Sequence, residues 1–379
     1  MNTGSAAKLR VCIIIDDLGL GGAQRQLAEF VKVYPRQRLQ VEVVSLSIEK
    51  TDYEAEIRRA GVPLTLIEQS GKWSWPAFKK LLAYLRKSKP DIVHTWLFTA
   101  DLYGRICARL AGVSAVACAM RNTVDDMPPH YRAAGRVLAW MTNRFTVNAD
   151  AIRAGMTKSL GISDRKIHTI YNGIDLSLFP KPDNLSHYRK EWDVREDTHL
   201  VAMMARMAPQ KDHRTFLQAA RRVLAEFENV RFILIGDGPL RSELEALAEE
   251  LGIRGNVVFM GKRRDGWSIL NAVDLYVHST HFEGFCNAIL EAMTASKAVV
   301  ATAAGGNPEI VQHERTGLLV KENDAADLAA AILTLLRSPE TARRMGQAGR
   351  ARVEQEFTIE RLSHNMSAFY EGLVNHERN

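Results

Sequence analysis

Hydrophobic and polar positions along the chain form two series in which short apolar runs alternate with amphipathic segments. The first series runs from residues 11–16 (VCIIID) to 166–175 (KIHTIYNGID), and the second from 199–207 (HLVAMMARM) to 316–320 (TGLLV). Short apolar runs are typical of buried strands, and apolar residues three or four positions apart are typical of helices. Strand and helix in alternation predict a parallel sheet covered by helices. We therefore expect an α/β protein with two Rossmann-like, doubly wound domains.

The connection between the two series lies at residues 176–199, where two prolines and no apolar run interrupt the alternation. The predicted first domain covers residues 1–178, and the second covers residues 179–357. The last helix, 358–379, is expected to pack back on the first domain. Two domains of nearly equal size are expected to face each other across a cleft, which is a favoured place for a ligand.

Two glutamates, Glu283 and Glu291, stand eight positions apart in the stretch 278–311. A Gly-Phe turn follows the first, and an apolar run with helical spacing surrounds the second, so the pattern predicts a strand, a loop and a helix. In an open parallel sheet such a loop lies at the carboxyl ends of the strands, and the helix start attracts phosphate. We expect Glu291 to accept hydrogen bonds from sugar hydroxyls, with Glu283 at the other end of the ligand. Taken alone, both glutamates are better explained as helix charges.

Arg206 and Lys211 follow the first predicted strand of the second domain and are separated by a short loop. Two cations at one strand end can converge on a diphosphate, the arginine by binding two oxygens and the lysine as a point charge. Lys262 and Arg263 lie at another strand end and are candidates for contact with a nucleotide base, although a solvated basic loop is the simpler explanation for them. These side chains extend the predicted phosphate site.

Gly21 and Gly22 lie in the loop 16–24, after the first predicted strand, where the lack of side chains lets the backbone approach a ligand. A tight turn without a ligand is an equally good explanation. The loop also resembles part of a dinucleotide fingerprint, but Gln24 stands where the third glycine is expected, and Ser47 where an acidic residue would follow the next strand. The pattern therefore argues against NAD.

Composition is that of a globular protein: of 379 residues, 46% are hydrophobic and 25% are charged, which argues against disorder. No apolar run approaches the roughly 18 residues of a membrane-spanning helix. The amino end does not form a secretory signal, so a cytoplasmic location is expected. The four cysteines have neither metal-ligand spacing nor the pattern of a disulfide framework.

Positive charge is concentrated in the first half of the chain. Residues 1–185 contain 26 lysines and arginines against 17 acidic residues, and the remainder contains 24 against 27. Much of the excess lies in the segment 73–90, a basic helix with aromatic residues beside it. Such a helix can lie on an anionic membrane surface, although a solvated basic face is the simpler explanation. No helix-turn-helix, zinc or aromatic RNA-binding pattern accompanies the charge, which argues against nucleic acid as a partner.

Seven segments have the order and spacing found in glycosyltransferase family 4, which consists of retaining enzymes that use nucleotide sugars and have the two-domain GT-B fold. The segments are NGID (172–175), ARMAPQKD (205–212), LIGDGPLRSEL (234–244), VVFMGKRRD (257–265), FEGFCNAILEAM (282–293), GGNPEIV (305–311) and TGLLV (316–320). The loop GGAQRQL (21–27) also resembles that family's first domain. The resemblance covers nearly the whole chain and is more specific in its second half.

The resemblance implies a role for each charged residue of the predicted site. Arg206 and Lys211 would neutralise the donor diphosphate and stabilise the charge on the departing nucleotide. Glu283 would contact the transferred sugar, and Glu291 would hold the ribose hydroxyls. The implied co-substrate is a UDP- or GDP-linked sugar.

Backbone groups complete the implied donor site. Gly284, Phe285 and Cys286 would bind a phosphate through their backbone, and Gly21 and Gly22 would approach the diphosphate from the opposite wall. In such enzymes two cations and a helix dipole supply the positive field, so neither a divalent metal nor another cofactor is expected.

His94, Arg121 and Asn122 are candidates for the acceptor side of the site. Family members often carry a histidine after the strand that matches residues 115–120, whereas this chain has Arg121 and Asn122 there. His94, at the end of another strand, is a rival, and each of the three is also explained by a structural role. Cys286 stands where the family commonly has a small residue or proline, a change that a backbone contact would tolerate.

The predicted activity is transfer of a hexose or N-acetylhexosamine to a hydroxyl of a saccharide acceptor. This acceptor is expected to be lipid-linked and presented at the cytoplasmic face of the membrane, for the synthesis of cell-surface polysaccharide or glycolipid. Two alternatives stay open, namely a sugar-nucleotide epimerase on the same fold and a non-catalytic protein that binds a nucleotide sugar.

Overall fold

The structure is a computed structural model that describes residues 7–378 apart from 50, 72, 125, 126, 128, 180–185 and 193. Its strands are β1 (Leu9–Ile15), β2 (Leu39–Ser45), β3 (Leu64–Leu66), β4 (Ile92–Trp96), β5 (Ala115–Met120), β6 (Arg144–Val147), β7 (Ile167–Thr169), β8 (His199–Met204), β9 (Val230–Ile235), β10 (Val257–Gly261), β11 (Leu275–His278), β12 (Ala298–Thr302) and β13 (Gly317–Val320).

Helices follow most of these strands along the chain. They are α1 (Gly22–Val33), α2 (Asp52–Arg59), α3 (Trp75–Ser88), α4 (Phe98–Leu110), α5 (Pro129–Ala139), α6 (Asp150–Leu160), α7 (Ser186–Glu191), α8 (His213–Glu226), α9 (Arg241–Glu250), α10 (Gly266–Ala272), α11 (Asn287–Thr294), α12 (Asn307–Ile310), α13 (Ala325–Leu336), α14 (Pro339–Glu356) and α15 (Ile359–Arg378). Among the described residues, none of these helices combines the length and apolar composition that crossing a bilayer requires.

The chain divides into two compact units. The first contains Met1–Gly173 together with Ile359–Asn379, and the second contains Ile174–Thr358. The predicted boundary after residue 178 falls inside the second unit, and α15 belongs to the first. Each unit is built on one parallel sheet, so the prediction of two doubly wound α/β domains is confirmed.

In the part of the chain that the structure describes, the first unit has a seven-stranded sheet in the order β3-β2-β1-β4-β5-β6-β7. The second has a six-stranded sheet in the order β10-β9-β8-β11-β12-β13. All pairs are parallel, and Val11 in β1 lies opposite both Val41 in β2 and Ile92 in β4. The central strands are buried on both faces, which explains why they read as continuous apolar runs.

Alternate residues of β1 enter two different cores because successive side chains of a strand point to opposite faces. Ile13 packs with Phe30 of α1 and Tyr370 of α15, whereas Ile14 packs with Tyr103 of α4. The last helix therefore contributes apolar side chains to the core of the first unit. In the second unit the largest core lies between the sheet and the helices α8, α9, α13 and α14.

Several helices begin at a side chain that satisfies the backbone of the first turn. Ser74 accepts a hydrogen bond from the amide of Ala77 at the start of α3, and Asp324 does the same for two amides of α13. Asp212 caps α8 through the amide of Thr215 at 3.2 Å. Such caps stabilise a helix by about 1 kcal/mol each. They fix where the helices leave the carboxyl ends of the strands.

The strand order reverses between β1 and β4 in the first sheet and between β8 and β11 in the second. At a reversal the loops from the two strands run to opposite faces, and a crevice is left at the carboxyl edge of the sheet. Most residues singled out from the sequence lie on loops at these two edges. The fold thus gathers them at the ligand-binding edge of each sheet.

Candidate functional site

The loops that follow β8 and β11 in the second unit are joined by hydrogen bonds. The side chain of Gln210 donates to the carbonyl of Phe282 at 2.9 Å, and the hydroxyl of Thr280 donates to the carbonyl of Gln210 at 2.8 Å. The first loop carries Lys211 and the second carries Glu283. Their side chains are therefore held together by the protein itself.

Lys211 and Glu283 form an ion pair in which the ammonium group contacts carboxylate atom Oε2. Only 18% and 13% of the two side chains are exposed. Burial would raise the pKa of Glu283, but the positive charge of Lys211 and the contacts with His278 and Lys211 together outweigh burial and lower that pKa to about 2. Burial would likewise lower the pKa of Lys211, but the carboxylate holds it above its ordinary value. Both groups are therefore charged at neutral pH.

His278, the last residue of β11, also contacts the carboxylate of Glu283. Its Nε2 lies 3.5 Å from Oε2 of Glu283 and 3.3 Å from Sγ of Cys286, and its Nδ1 lies 3.2 Å from the Tyr276 hydroxyl. Burial lowers the pKa of His278, so the imidazole is neutral at pH 7. Burial also raises the pKa of Cys286 to about 12, and the charge of Glu283 adds to this effect. Cys286 is therefore a protonated thiol.

The contact between His278 and Glu283 is a feature that the sequence analysis missed. The one available signal was the position of His278, since the final residue of a strand that leads into a ligand-binding loop lies next to that loop. Because the imidazole is buried and touches both Tyr276 and Glu283, it restricts the orientation of the carboxylate.

The loop after β12 packs on the backbone of Glu283. The amide of Gly306 donates to the Glu283 carbonyl at 3.3 Å. Gly305 has a φ of 50°, and a Cβ at that position would lie 1.9 Å from the same carbonyl oxygen. Only glycine permits this approach, because any other residue would be strained in backbone and would overlap the carbonyl. Gly305 is therefore required by the close approach of this loop to Glu283.

Helix α11 begins at Asn287, and Cys286 is its cap residue. The thiol does not cap the first turn through a side-chain hydrogen bond. The N-terminal dipole of this helix therefore favours an anion at the loop formed by Gly284, Phe285 and Cys286. Glu291 lies about one turn into the helix and is 5% exposed. Its burial is compatible with a binding role and does not fit a solvated helix charge.

Arg206 and Lys262 have exposed side chains, and neither has an ion-pair partner among the residues that the structure describes. Arg263 differs, because its guanidinium pairs with Asp265 at 2.7 Å and with Glu191 at 2.7 Å. A nucleotide base would have to compete with both carboxylates for Arg263. The predicted base contact stays a prediction for Lys262 and Arg263.

Gly21 and Gly22 lie at the start of α1 in the first unit. One turn further on, Gln26 binds the backbone of Gly173 in both directions. Its side-chain nitrogen donates to the Gly173 carbonyl at 2.9 Å, and its side-chain oxygen accepts from the Gly173 amide at 3.0 Å. The glycine loop is thus tied to the segment after β7.

His94 is completely buried in the first unit. Its Nδ1 lies 2.9 Å from the hydroxyl of Tyr370, and its Nε2 lies 3.2 Å from the hydroxyl of Thr146. Burial lowers the pKa of His94 to about 3, with a further contribution from the positive charge of Arg121. A neutral imidazole with both nitrogens in contact with hydroxyls suits the structural role that the sequence left open.

Arg121 and Asn122 follow β5 directly. The guanidinium of Arg121 stacks on Trp96 with 3.6 Å between its central carbon and the ring centroid, and its Nη1 donates to Asn172 at 3.0 Å. Asn122 is exposed, and its side-chain oxygen accepts from the amide of Thr123 at 3.0 Å. Of the three acceptor-side candidates, these two lie at the surface, and Arg121 is only partly exposed.

His278, Glu283 and Cys286 are a group of metal-ligand type in the described part of the chain, with ligand atoms within 4.8 Å of one another. Two features oppose a divalent cation there. The ammonium group of Lys211 already contacts the Glu283 carboxylate, and a cysteine must lose its proton to bind a metal, which burial of Cys286 disfavours. That the chain works without a metal stays a prediction.

Two family models match adjacent parts of this chain. The model described as Glycosyltransferase Family 4 matches residues 20–178, and the model described as Glycosyl transferases group 1 matches residues 186–352. Together they span both units and contain every residue discussed above for the donor site.

Curated relatives and solved structures give a consistent picture. The chain is 28% identical to N-acetyl-alpha-D-glucosaminyl L-malate synthase of Bacillus anthracis over 59% of this chain and 58% of that enzyme. It is 26% identical to UDP-Gal:alpha-D-GlcNAc-diphosphoundecaprenol alpha-1,3-galactosyltransferase of Escherichia coli, over 80% of this chain and 82% of that enzyme. HepE of Anabaena in complex with UDP-glucose is similar in fold, with a TM-score of 0.85 and 22% identity over 96% of this chain and 100% of the other.

Proposed function

Because this chain belongs to glycosyltransferase family 4 and has the GT-B fold, we propose that it transfers a hexose or N-acetylhexosamine from a UDP- or GDP-linked donor to a saccharide hydroxyl, with retention of anomeric configuration. The observation that carries the proposal is the partly buried ion pair of Lys211 and Glu283, which lies at the strand-order reversal of the second sheet. It places a cation and a hydrogen-bond acceptor side by side, close to the start of α11.

The donor site would use each charge for one part of the nucleotide sugar. Lys211 and Arg206 would neutralise the diphosphate, with the first turn of α11 adding backbone N–H groups. Glu291 would accept hydrogen bonds from the ribose hydroxyls, and Glu283 from the hydroxyls of the transferred sugar. Lys211 and His278 would act on Glu283 as positioning residues, because both touch its carboxylate.

The proposed reaction takes place on one face of the sugar. The bond between the anomeric carbon and the nucleotide phosphate oxygen breaks, and the acceptor hydroxyl oxygen bonds to the same face of that carbon. The hydroxyl proton passes to the departing phosphate oxygen, so no side chain has to serve as nucleophile. Arg206 and Lys211 would stabilise the negative charge that develops on the leaving phosphate.

The acceptor is proposed to be a lipid-linked saccharide, in the synthesis of cell-surface polysaccharide or glycolipid. The name of the Escherichia coli relative describes a diphosphoundecaprenol acceptor, and that of the Bacillus anthracis relative describes L-malate. Both acceptors carry negative charge. A cytoplasmic protein that contacts the inner membrane surface through α3 would suit such a substrate. The 61% exposure of Trp75 in this basic helix supports that contact.

A sugar-nucleotide epimerase on the same fold is the second candidate. It would need no acceptor and would convert one nucleotide sugar into another. Mass spectrometry of the products separates the two reactions, since a transferase releases free nucleotide whereas an epimerase releases an isomer of the donor. A non-catalytic binding protein would produce neither.

A thermal-shift screen of UDP-, GDP- and ADP-linked sugars tests the proposed donor class. A tight ligand raises the unfolding temperature by mass action, and we expect a UDP- or GDP-linked sugar to do so. Turnover should persist in EDTA. An activity that vanishes with EDTA and returns with manganese contradicts the metal-free mechanism, and stabilisation by ADP-linked sugars alone contradicts the donor class.

A further inference from the structure

Arg121 carries a positive charge that lacks a carboxylate partner among the residues that the structure describes. Its Nη1 donates to the amide oxygen of Asn172, and its Nε is buried without an acceptor. Leaving a buried donor unsatisfied is unfavourable, and more so when the group is charged. Within the described part of the chain, one donor of the guanidinium therefore has no acceptor.

The titratable side chains described around Arg121, those of His94 and Tyr370, are neutral. His94 holds no proton charge at pH 7, because burial lowers its pKa to about 3. Burial raises the pKa of Tyr370, so its hydroxyl is also uncharged. Burial lowers the pKa of Arg121 to about 9, which still leaves the guanidinium protonated at neutral pH. Among the described residues the cation therefore faces neutral groups, and an anion would compensate its charge.

The stacking geometry leaves the guanidinium able to bind an oxyanion. Trp96 covers one flat face of the group, whereas the N–H bonds of a guanidinium point outward in its plane. A planar fork of N–H groups matches two oxygens of a phosphate or carboxylate. An oxyanion along the Nε edge of Arg121 would supply the missing acceptor.

Arg121 also occupies the ligand-binding edge of its sheet. It follows β5, and Trp96 ends β4, the strand at which the order of the first sheet reverses. Leu97, directly after Trp96, has a φ of 73°, which is strained for a residue with a side chain. Such a conformation persists only where the surrounding structure fixes the backbone, so the chain directly after Trp96 is held at the edge where a ligand is expected.

We propose that Arg121, stacked on Trp96, binds an anionic group of the acceptor, either a phosphate or a carboxylate. The inference rests on the proposed transferase function, and it adds the chemical class of the acceptor to that function. The cations proposed for the donor diphosphate, Arg206 and Lys211, lie in the second unit, so we assign the anion at Arg121 to the other substrate.

The test follows the indole N–H signal of Trp96 by NMR of 15N-labelled protein, with a Trp96→Phe variant to identify the signal. The probes are inorganic phosphate, methyl α-D-glucuronate and, as the neutral match, methyl α-D-glucoside. We expect a saturable shift with one or both anions and no shift with the glucoside. Arg121→Gln should weaken anion binding by between about tenfold and a hundredfold. Arg165→Gln, at an exposed arginine of the first unit, should leave it unchanged.

Phosphate and glucuronate distinguish the two oxyanions, and UDP distinguishes the two substrates. Loss of the phosphate shift when UDP is added in competition would assign the anion to the donor and overturn the proposal. The absence of any saturable shift, or an equal shift in Arg121→Gln, would also overturn it. The proposal would also be overturned if the double variant Asp125→Asn, Asp126→Asn bound phosphate more than about tenfold tighter than wild type. That result would mean that the chain supplies its own anion to Arg121.

A separate measurement reports on the donor site. It compares how much nucleotide sugars raise the unfolding temperature of wild type and of Lys211→Ala. Failure there would remove the proposed function while the Trp96 titration still reports on Arg121. Conversely, a normal donor response with no anion response at Trp96 would remove only the acceptor inference.

Discussion

The carboxylate of Glu283 is held from two sides, by the ammonium of Lys211 and by the imidazole of His278. The spacing of charged residues along the chain was enough to single out Glu283, Glu291 and Lys211. It could not reveal His278, because that contact depends on how β11 enters its loop. Nor could it reveal that Arg263 is engaged by two carboxylates, one of them from the distant residue Glu191.

Replacing Lys211 should abolish most of the donor turnover. Lys211→Ala removes the charge proposed to stabilise the leaving phosphate, and we expect kcat/KM to fall by about a hundredfold or more. Nucleotide release measures the effect, and circular dichroism checks that the fold persists. Lys321→Ala removes an exposed lysine of the same unit and should behave as wild type. Equal turnover in Lys211→Ala and wild type would remove the assignment.

Because burial keeps histidines such as His94 neutral in the folded chain, we expect the protein to lose stability in mild acid. His94 has a pKa of about 3 in the folded chain and about 6.5 when unfolded, so the unfolded state binds more protons between these values. The free energy of unfolding is therefore unaffected by His94 above about pH 6.5. Below that pH it falls, by up to about 1.4 kcal/mol per pH unit.

Urea unfolding at pH 7, 6 and 5 measures this slope. His94→Gln should unfold with a shallower dependence on pH than wild type, whereas the exposed His130→Gln should keep the wild-type slope. Identical slopes in His94→Gln and wild type would show that burial of this imidazole does not govern acid stability.

At the scale of elements, alternation of apolar runs and helical segments was sufficient to predict both sheets. Parallel strands are buried on both faces, so their sequences carry a strong signal. The limits of the second unit were harder to predict, because the chain leaves the first sheet after β7 and α15 returns to it from the far end of the sequence. Such a return leaves no local pattern beyond an ordinary amphipathic helix.

The loop after β12 should tolerate no side chain at Gly305. Gly305→Ala forces a left-handed backbone on alanine and brings Cβ against the carbonyl of Glu283, so we expect a loss of about 2–4 kcal/mol in the free energy of unfolding. Gly255→Ala is the matched control, since a Cβ there meets open space. Denaturant titration compares the two, and equal unfolding midpoints would contradict the close approach.

At the scale of the whole molecule, the excess of basic residues in the first half of the chain is the feature that the donor chemistry does not use. Four exposed cations lie on α3, namely Lys79, Lys80, Arg86 and Lys87. Trp73 and Trp75, at the start of this helix, are 40% and 61% exposed. Exposed indoles beside cations suit a surface of anionic lipid.

Neutralising these four cations to glutamine should weaken co-sedimentation with vesicles that contain anionic lipid, and the loss should be greatest at low salt. The matched control neutralises Arg221, Arg222, Arg343 and Arg344, four exposed arginines of the second unit. Wild type should not sediment with neutral vesicles. If it ignores anionic vesicles as well, or if both variants lose binding equally, α3 is not a membrane contact.

Slow hydrolysis of the donor tests, without an acceptor, whether transfer takes place on one face of the sugar at the site of Lys211 and Glu283. Real-time proton NMR identifies which anomer of the free sugar forms first from a UDP- or GDP-linked α-sugar. We predict the α-anomer, before mutarotation, and loss of this signal in Lys211→Ala. Initial release of the β-anomer, or an undiminished rate in Lys211→Ala, would contradict it.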